Sequence, residues 1–411
     1  MAENVPRQWT VLGPPPPHGS IEADLDQEMH KFMADNNVRN AQLAIGKNGK
    51  VLTSRSYSWS WGEHVTEDAD TFLLASVSKA FCCAAIYELF PDENVRKATK
   101  AADVLGWGSS SVDKGYDQMT VQQLVDHTAG FGYDETSPSP NEWTYLSRKA
   151  AAHLQRDVTT PKDLVDYVRT IPLAYEPFDS EKHEIWKYSN IAYVVLSMIV
   201  AKKSNKPYIN FLLQDVLAKN GLGSMNLYTV DTRPSEYGYD FIRAPPYSYD
   251  EGLPSYDYKE QTKMVPAVYG GDGMVKEVCI GPCSLACSAS DLVKFSGRYS
   301  KFLCPQCHSS CIYTIETQLT HPSPAAWFCG LNMHAGYGRT GSTWGASTFI
   351  WNRRDGRDLA ILMNTRESEK GGLRFDAEDS QGNGIGAVNR PQGLFNFEGS
   401  PIHHVMERHP Q

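Results

Sequence analysis

No stretch of the 411 residues approaches the roughly 18 consecutive apolar positions of a membrane-spanning helix, so no span is expected. Positive charge is also short: 39 Lys and Arg stand against 48 Asp and Glu, a formal net charge of −9. That gives no broad basic face of the kind that binds nucleic acid. The start, MAENVPRQWTVLGPPPPHGS, has no apolar core like that of a secretory signal, and no Asn-x-Ser/Thr acceptor occurs anywhere. Hydrophobic residues make up 41% and charged ones 21%, enough for a sizeable core and unlike a disordered chain. The expectation is a soluble, cytoplasmic, globular protein with a small-molecule partner. The length suits two or three domains of ~150 residues, or one large unit.

Cysteine is present but odd in number, nine in all, so at least one is unpaired or pairs between chains. With no secretory signal, the reduced state is expected. Cys304-Pro-Gln-Cys307-His308 fits the C-x-x-C-H form of haem attachment, and Cys311 adds a thiol for a zinc reading. A plain cysteine-bearing loop is the simpler account. No metal or cofactor is expected.

Residues 1–20 are Pro-rich and read as an extended arm. Residues 21–36 carry apolar positions at helical spacing with acids early. Asn48-Gly49 between two strand-like runs signals a hairpin. Residues 72–90 are apolar nearly all round and read as a buried helix. Further helices are expected at 119–127, 190–202, 207–219 (ending at Asn220-Gly221) and 288–299. The Tyr-rich segment 233–262 reads as a long loop packed on its own tyrosines. After about residue 326 the period shifts to two: 327–333, 342–352 and 358–364 are strand-like, with Arg353-Arg354-Asp355-Gly356 turning between the last two. Strands at both ends and helices between them suggest an α+β fold, an α/β sandwich: an antiparallel sheet assembled from both chain ends with an inserted helical domain. We place the sheet domain at 21–95 and 270–365, the helical domain at 96–269, and leave the tail 366–411 unassigned.

Ser76-Val77-Ser78-Lys79 is an S-x-x-K motif. Three residues apart on a helix puts Ser76 and Lys79 on one face. A helix N-terminus and burial both favour a neutral Lys79 amine, able to take the Ser76 proton; serine is a weak nucleophile without such a base. The bland account is a helix start with a snorkelling lysine. Ser111-Val112-Asp113-Lys114 has the same form but sits in a Gly/Ser-rich loop. Tyr188-Ser189-Asn190 offers a tyrosine to relay protons and an asparagine to bind an acyl amide or hold the lysine; otherwise Tyr188 is a core residue with a satisfied hydroxyl. Tyr208-Ile209-Asn210 repeats the pattern inside a helix start. Gly338-Arg339-Thr340-Gly341-Ser342 enters a strand, and glycine there lets a substrate approach the backbone. The N–H groups of Ser76 and Ser342 are candidates for an oxyanion hole; the alternative is a Gly-rich strand end with no ligand.

Together, Ser76-x-x-Lys79, Tyr188-x-Asn190 and Arg339-Thr340-Gly341 resemble the serine β-lactamase and penicillin-binding-protein superfamily. Within it, the chain is most similar to the class C β-lactamase-like branch, which also holds esterases, D-aminopeptidases and fungal transesterases. Met119–Phe131 resembles the branch's T-x-x-x-L-L-x-H-T-S-G segment, Leu285–Leu292 its S-T-A-x-D-L helix start, and Gly341–Gly345 its G-x-x-P-G strand. Order and spacing agree from about residue 25 to 365. The resemblance implies that Ser76 is the nucleophile, Lys79 the general base and Tyr188 the shuttle. It also implies that Asn190, Arg339, Thr340, Gly341 and Trp344 line the substrate site.

Three departures stand out. Arg339 replaces the usual Lys or His of the third motif. It stays protonated, so it either binds a substrate carboxylate or sits exposed, paired to a surface acid. His334-Ala335-Gly336 fits another register of that motif, but the Ser-Thr-x-Gly continuation favours Arg339. Trp344 replaces a proline, and the tail lacks the family's closing-helix pattern. His127 reads as structural, capping the turn before Gly130.

The implied activity is a serine hydrolase, carboxylesterase-like, forming an acyl-enzyme from an ester, amide or thioester. The ranked alternatives are an acyltransferase or transesterase acting on a metabolite hydroxyl in secondary metabolism, then β-lactam hydrolysis. A scaffold that kept the fold without the chemistry is the contrasting reading, and a metal-dependent hydrolase using the Cys304–Cys311 loop is another.

Overall fold

The computed structural model describes residues 7–61, 64–110, 112–132, 145–177, 188–232, 250–299, 332–333, 336–353, 355–365 and 401–409. The strands in chain order are β1 Gln8–Leu12, β2 Asn40–Lys47, β3 Lys50–Ser60, β4 Phe72–Leu73, β5 Tyr228–Thr229, β6 Glu251–Gly252, β7 Val265–Pro266, β8 Leu285–Cys287, β9 Asn332–Met333, β10 Gly336–Thr343, β11 Ala346–Arg353 and β12 Arg357–Met363. A seven-stranded antiparallel sheet runs β1-β3-β2-β12-β11-β10-β9. The two chain ends meet where β2 pairs β12, from Arg357 opposite Lys47 to Met363 opposite Ala41. The expected α+β architecture is therefore present.

Alternation along the central strands loads both faces of this sheet. Leu359, Ile361 and Met363 of β12, with Phe349 and Trp351 of β11, join Leu25, Met29 and Met33 in one core. The intervening Ala360, Leu362 and Ile350 belong to the other core, with Phe81, Leu292 and Phe295. Period two in the strands thus meets period 3.6 in the helices on each side.

Several local signals act as read. Asn48 and Gly49 both adopt positive φ (54° and 74°) between β2 and β3, as a type I′ hairpin requires. The helix Ile21–Asn36 has its expected bounds, with Ser20 as N-cap and Asn37 left-handed at its end. Asn190–Ser204 and Ala289–Tyr299 are helices as read. The segment 208–220 is helical but irregular: Tyr208–Phe211, a π stretch Leu212–Leu217, then a 3₁₀ turn Ala218–Asn220, stopped by left-handed Gly221.

Other readings are corrected. The run 72–90 is not one helix. Phe72 and Leu73 pair with Cys287 and Ala286, a 3₁₀ turn covers Ala75–Val77, and the helix spans Ser78–Leu89. The run 342–352 is not one strand: it turns at Trp344-Gly345, with Gly345 at φ 72°, joining β10 to β11. The helix read at 119–127 spans only Val121–Val125, because His127 is left-handed at φ 59°. Part of the Pro-rich start is not an arm: Trp9 stacks on His30 and Tyr57, which holds β1 at the sheet edge. The tail does supply a closing helix, Pro401–Arg408. Its Ile402, Val405 and Met406 are buried at i, i+3, i+4 spacing, and Arg357 donates to the carbonyls of Met406 and His409.

The cysteine cluster 304–311, Ser111, His334 and residues 233–249 of the tyrosine-rich loop lie outside the described residues. Among the described residues, no helix is long and apolar enough to cross a membrane, and no group of three or more His, Cys, Asp or Glu is arranged to hold a metal.

Candidate active site

The nucleophile candidate is built by a strained turn rather than by a helix start. Ala75 carries φ 46°, the left-handed region that a side chain disfavours at a cost of about 1 kcal/mol or more. Bonds from distant parts of the chain hold it there. Leu74 N–H donates to Leu285 O (2.8 Å), Thr348 Oγ1 donates to Leu74 O (2.8 Å), and Arg339 Nε donates to Ser76 O (2.7 Å). The result is a half-buried Ser76 side chain beside the β10 edge. A Cβ placed on Gly341 would lie 2.3 Å from Leu74 O and from Thr348 Oγ1, and 3.1 Å from Ser76 N. Only glycine lets β10 come this close. Among the described residues, β9 covers β10 only at Gly336 and Tyr337, leaving Gly338–Thr343 with β11 on one side alone.

Lys79 lies one helical turn after Ser76 and is fully buried, 0% exposed. Its Nζ sits 3.2 Å from Ser76 Oγ, 2.7 Å from Asn190 Oδ1 and 3.0 Å from Pro282 O. Tyr188 OH lies 2.7 Å from Ser76 Oγ, and Lys79 Nζ stands 4.7 Å from the Tyr188 ring centre. The structure therefore brings together Ser76 and Lys79 from one chain segment and Tyr188 and Asn190 from another.

Asn190 opens its helix, with Ser189 as N-cap accepting from Ala192 N. His127 Nδ1 accepts the Ser189 N–H (2.9 Å), and the His127 ring stacks on Tyr188 with centroids 4.8 Å apart. Burial, with the Arg339 guanidinium nearby, holds His127 well below the usual imidazole range, so it is neutral and acts as an acceptor. The linkage sign follows. The unfolded chain takes up a proton below about pH 6.5 and the native His127 does not, so stability is complete above that pH and falls as pH drops toward the folded value. We predict an acid-side loss of up to about 1.4 kcal/mol per pH unit from this residue. Denaturant titrations of wild type and His127→Gln at pH 7 and pH 5 check it: equal pH slopes would sink the idea.

Arg339 is 1% exposed, so it is not a surface guanidinium; its Nε holds the Ser76 carbonyl. Thr340 and Ser342 are half-buried on β10. Trp344 sits in the β10–β11 turn and donates Nε1 to Asp250 Oδ2 (2.9 Å), tying that turn to the segment before β6. One contributor, Pro282, has no signal in the sequence. Pro282 acts through a backbone carbonyl, which leaves no side-chain signature. His127 reads from sequence as a turn cap, and the folded chain brings its ring onto Tyr188.

An antiparallel sheet closed by both chain ends, with serine, lysine and tyrosine meeting at one edge strand, is the β-lactamase/transpeptidase fold. The Beta-lactamase family pattern matches residues 25–382, and the protein belongs to that family. Penicillin-binding protein 4* of Bacillus subtilis (strain 168) is 24% identical over 272 residues, 61% of this chain and 52% of that protein. The penicillin-binding protein described as putative PbpX from the same organism is 18% identical over 208 residues, 50% of this chain and 45% of its own length. The chain thus spans about half the length of the curated relatives it matches. Among solved structures, D-amino acid amidase from Ochrobactrum anthropi SV3, complexed with D-phenylalanine, shares the fold. It has a TM-score of 0.60 at 16% identity, covering 94% of this chain and 99% of that one. The octameric penicillin-binding protein homologue from Pyrococcus abyssi gives 0.55 at 17% identity, covering 84% and 73%.

Proposed function

We propose that the protein is a serine hydrolase that forms a covalent acyl-enzyme from an ester, amide or thioester of a small molecule. The observation that carries this reading is the placement of both Lys79 Nζ and Tyr188 OH within hydrogen-bond reach of Ser76 Oγ. A neutral Lys79 amine has two N–H groups. Directed at Asn190 Oδ1 and Pro282 O, they leave its lone pair on the Ser76 hydroxyl. Lys79 then takes the proton as Ser76 attacks the carbonyl, and its three N–H groups match three acceptors. Tyr188 hands a proton on to the leaving group. The N–H groups of Ser76 and Ser342 receive the oxyanion, and the open edge of β10 receives the substrate. Thr340, Trp344 and the Asn190 amide line the approach.

Intact mass after brief incubation with activated acyl esters, a thioester, a D-amino acid amide and a β-lactam tests the reading. The expected result is a transient adduct that peptide mapping places on Ser76. Fast loss of the adduct to water marks a hydrolase, and loss only when a hydroxyl acceptor is added marks a transferase. No adduct with any of the probes would turn the balance to a scaffold.

A further inference from the structure

Pro282, whose carbonyl holds Lys79, lies between two cysteines that the chemistry above does not use. Cys279 and Cys283 bracket a single tight turn: Cys283 N–H donates to Cys279 O (3.1 Å), and Cys283 Sγ lies 3.6 Å from the same carbonyl. Cys283 Sγ also lies 3.5 Å from Ser284 Oγ. Among the five described cysteines, Cys82, Cys83, Cys279 and Cys287 are buried, and Cys283 alone is partly exposed. Cys283 is also the acidic member. The adjacent Cys279, the nearby Lys276 ammonium group and the Ser284 hydroxyl bring it down to about 7 against the opposing effect of burial. The Cys279 thiol is pushed up by burial and by its neighbour. A partly exposed, acidic thiol beside a second, protonated thiol is the arrangement of a peroxide-sensitive pair.

We propose that Cys279 and Cys283 are an oxidisable dithiol, a modification site for hydroperoxides, and that its closure to a disulfide draws the Pro282 carbonyl away from Lys79 and slows acylation of Ser76. The Cys283 thiolate attacks the peroxide O–O bond, giving a sulfenic acid and releasing hydroxide, which takes up a proton as water. The Cys279 thiol then attacks the sulfenic sulfur, and its proton leaves with the hydroxyl as a second water. Two thiols are oxidised and one peroxide is reduced.

Closure moves the turn for a geometric reason. Residues four apart in one turn hold their Cβ atoms about 5–6 Å apart, whereas a disulfide needs about 3.8 Å. The turn must tighten, and it has no slack. A Cβ on Gly281 would lie 2.3 Å from Tyr193 O and 2.9 Å from Ser197 Cβ, so this segment is pressed against the helix Asn190–Ser204. Ser284 and Leu285 are pinned just beyond it, through Val230 N to Ser284 O (3.0 Å) and Leu285 N to Ser78 Oγ (3.2 Å). With Gly281 held against the helix and Ser284 and Leu285 pinned beyond, displacement falls on Pro282.

The effect on Lys79 rests on the acyl-enzyme reading; formation of the bond does not. The experiment treats the full chain with a small excess of hydrogen peroxide, maps disulfides by peptide mass, and follows Ser76 acylation before and after dithiothreitol. The expected result is a Cys279–Cys283 link, acylation slowed about tenfold or more, and recovery on reduction. Cys283→Ser and Cys279→Ser should acylate at the untreated rate and lose the peroxide sensitivity. A link elsewhere, equal inactivation of Cys283→Ser, or an unchanged rate with the link formed would each overturn the proposal. If the untreated protein forms no adduct at all, the acyl-enzyme reading has failed, and the peptide map alone decides the dithiol.

Discussion

Replacing Ser76 by alanine is expected to abolish acyl-adduct formation and to lower turnover by on the order of 10⁴ or more, with the fold intact. The reason is that Ser76 Oγ is the one atom on which Lys79 Nζ and Tyr188 OH converge, at 3.2 Å and 2.7 Å. On the acyl-enzyme reading, removing it leaves Lys79 and Tyr188 without the hydroxyl they would activate. Lys79→Ala should cost a comparable factor, and the double variant little more than either single change, because groups that act as a unit are not additive. Lys79→Ala also strips partners from Asn190 Oδ1 and Pro282 O, so its melting temperature should fall, whereas that of Ser76→Ala should not. Steady-state kinetics with the best-loading ester, beside thermal melts, decide the matter. Unchanged turnover in Ser76→Ala would remove the enzyme reading and leave a scaffold that kept the fold.

The second large effect is expected at Gly341. Valine there would put a Cβ 2.3 Å from Leu74 O and from Thr348 Oγ1, and 3.1 Å from Ser76 N. The backbone atoms that crowd it, Leu74 O and Ser76 N, belong to the turn that presents Ser76, so β10 must back away from Ser76. The N–H of Ser342, the next residue on β10, moves with it. Losing one oxyanion donor typically costs about 10²–10³ in kcat, and that is the predicted loss, with KM changed far less. Overpacking adds a stability cost of about 1–3 kcal/mol, read separately by denaturant unfolding. A folded Gly341→Val that acylates at the wild-type rate would show that the close approach of β10 to Ser76 is not needed.

These two positions differ in how they could be found. Ser76 and Lys79 are legible because a three-residue spacing on a helical turn puts two side chains on one face whatever surrounds them. Gly341 is legible only as a glycine in a motif; that its hydrogen faces Leu74 O is a fact of tertiary packing. Arg339 shows the limit of side-chain chemistry as a guide. A guanidinium suits a substrate carboxylate or a surface acid equally well on paper; here it is buried, and its Nε donates to the carbonyl of Ser76.

By itself the sequence determined what short range controls. The Asn48-Gly49 hairpin, the capped helix Ile21–Asn36, the alternation of β11 and β12 and the order of the three motifs all follow from local conformational preference and period. Tertiary structure alone decided what needs partners far along the chain. Ala75 is an ordinary helix former, and its local preference is for the right-handed region; bonds reaching Leu285, Thr348 and Arg339 hold it at positive φ. The last helix reads as an unassigned tail until Ile402, Val405 and Met406 meet the sheet face that covers them. Pro282 becomes part of the site through an oxygen that every residue carries, and only the fold brings that oxygen to Lys79.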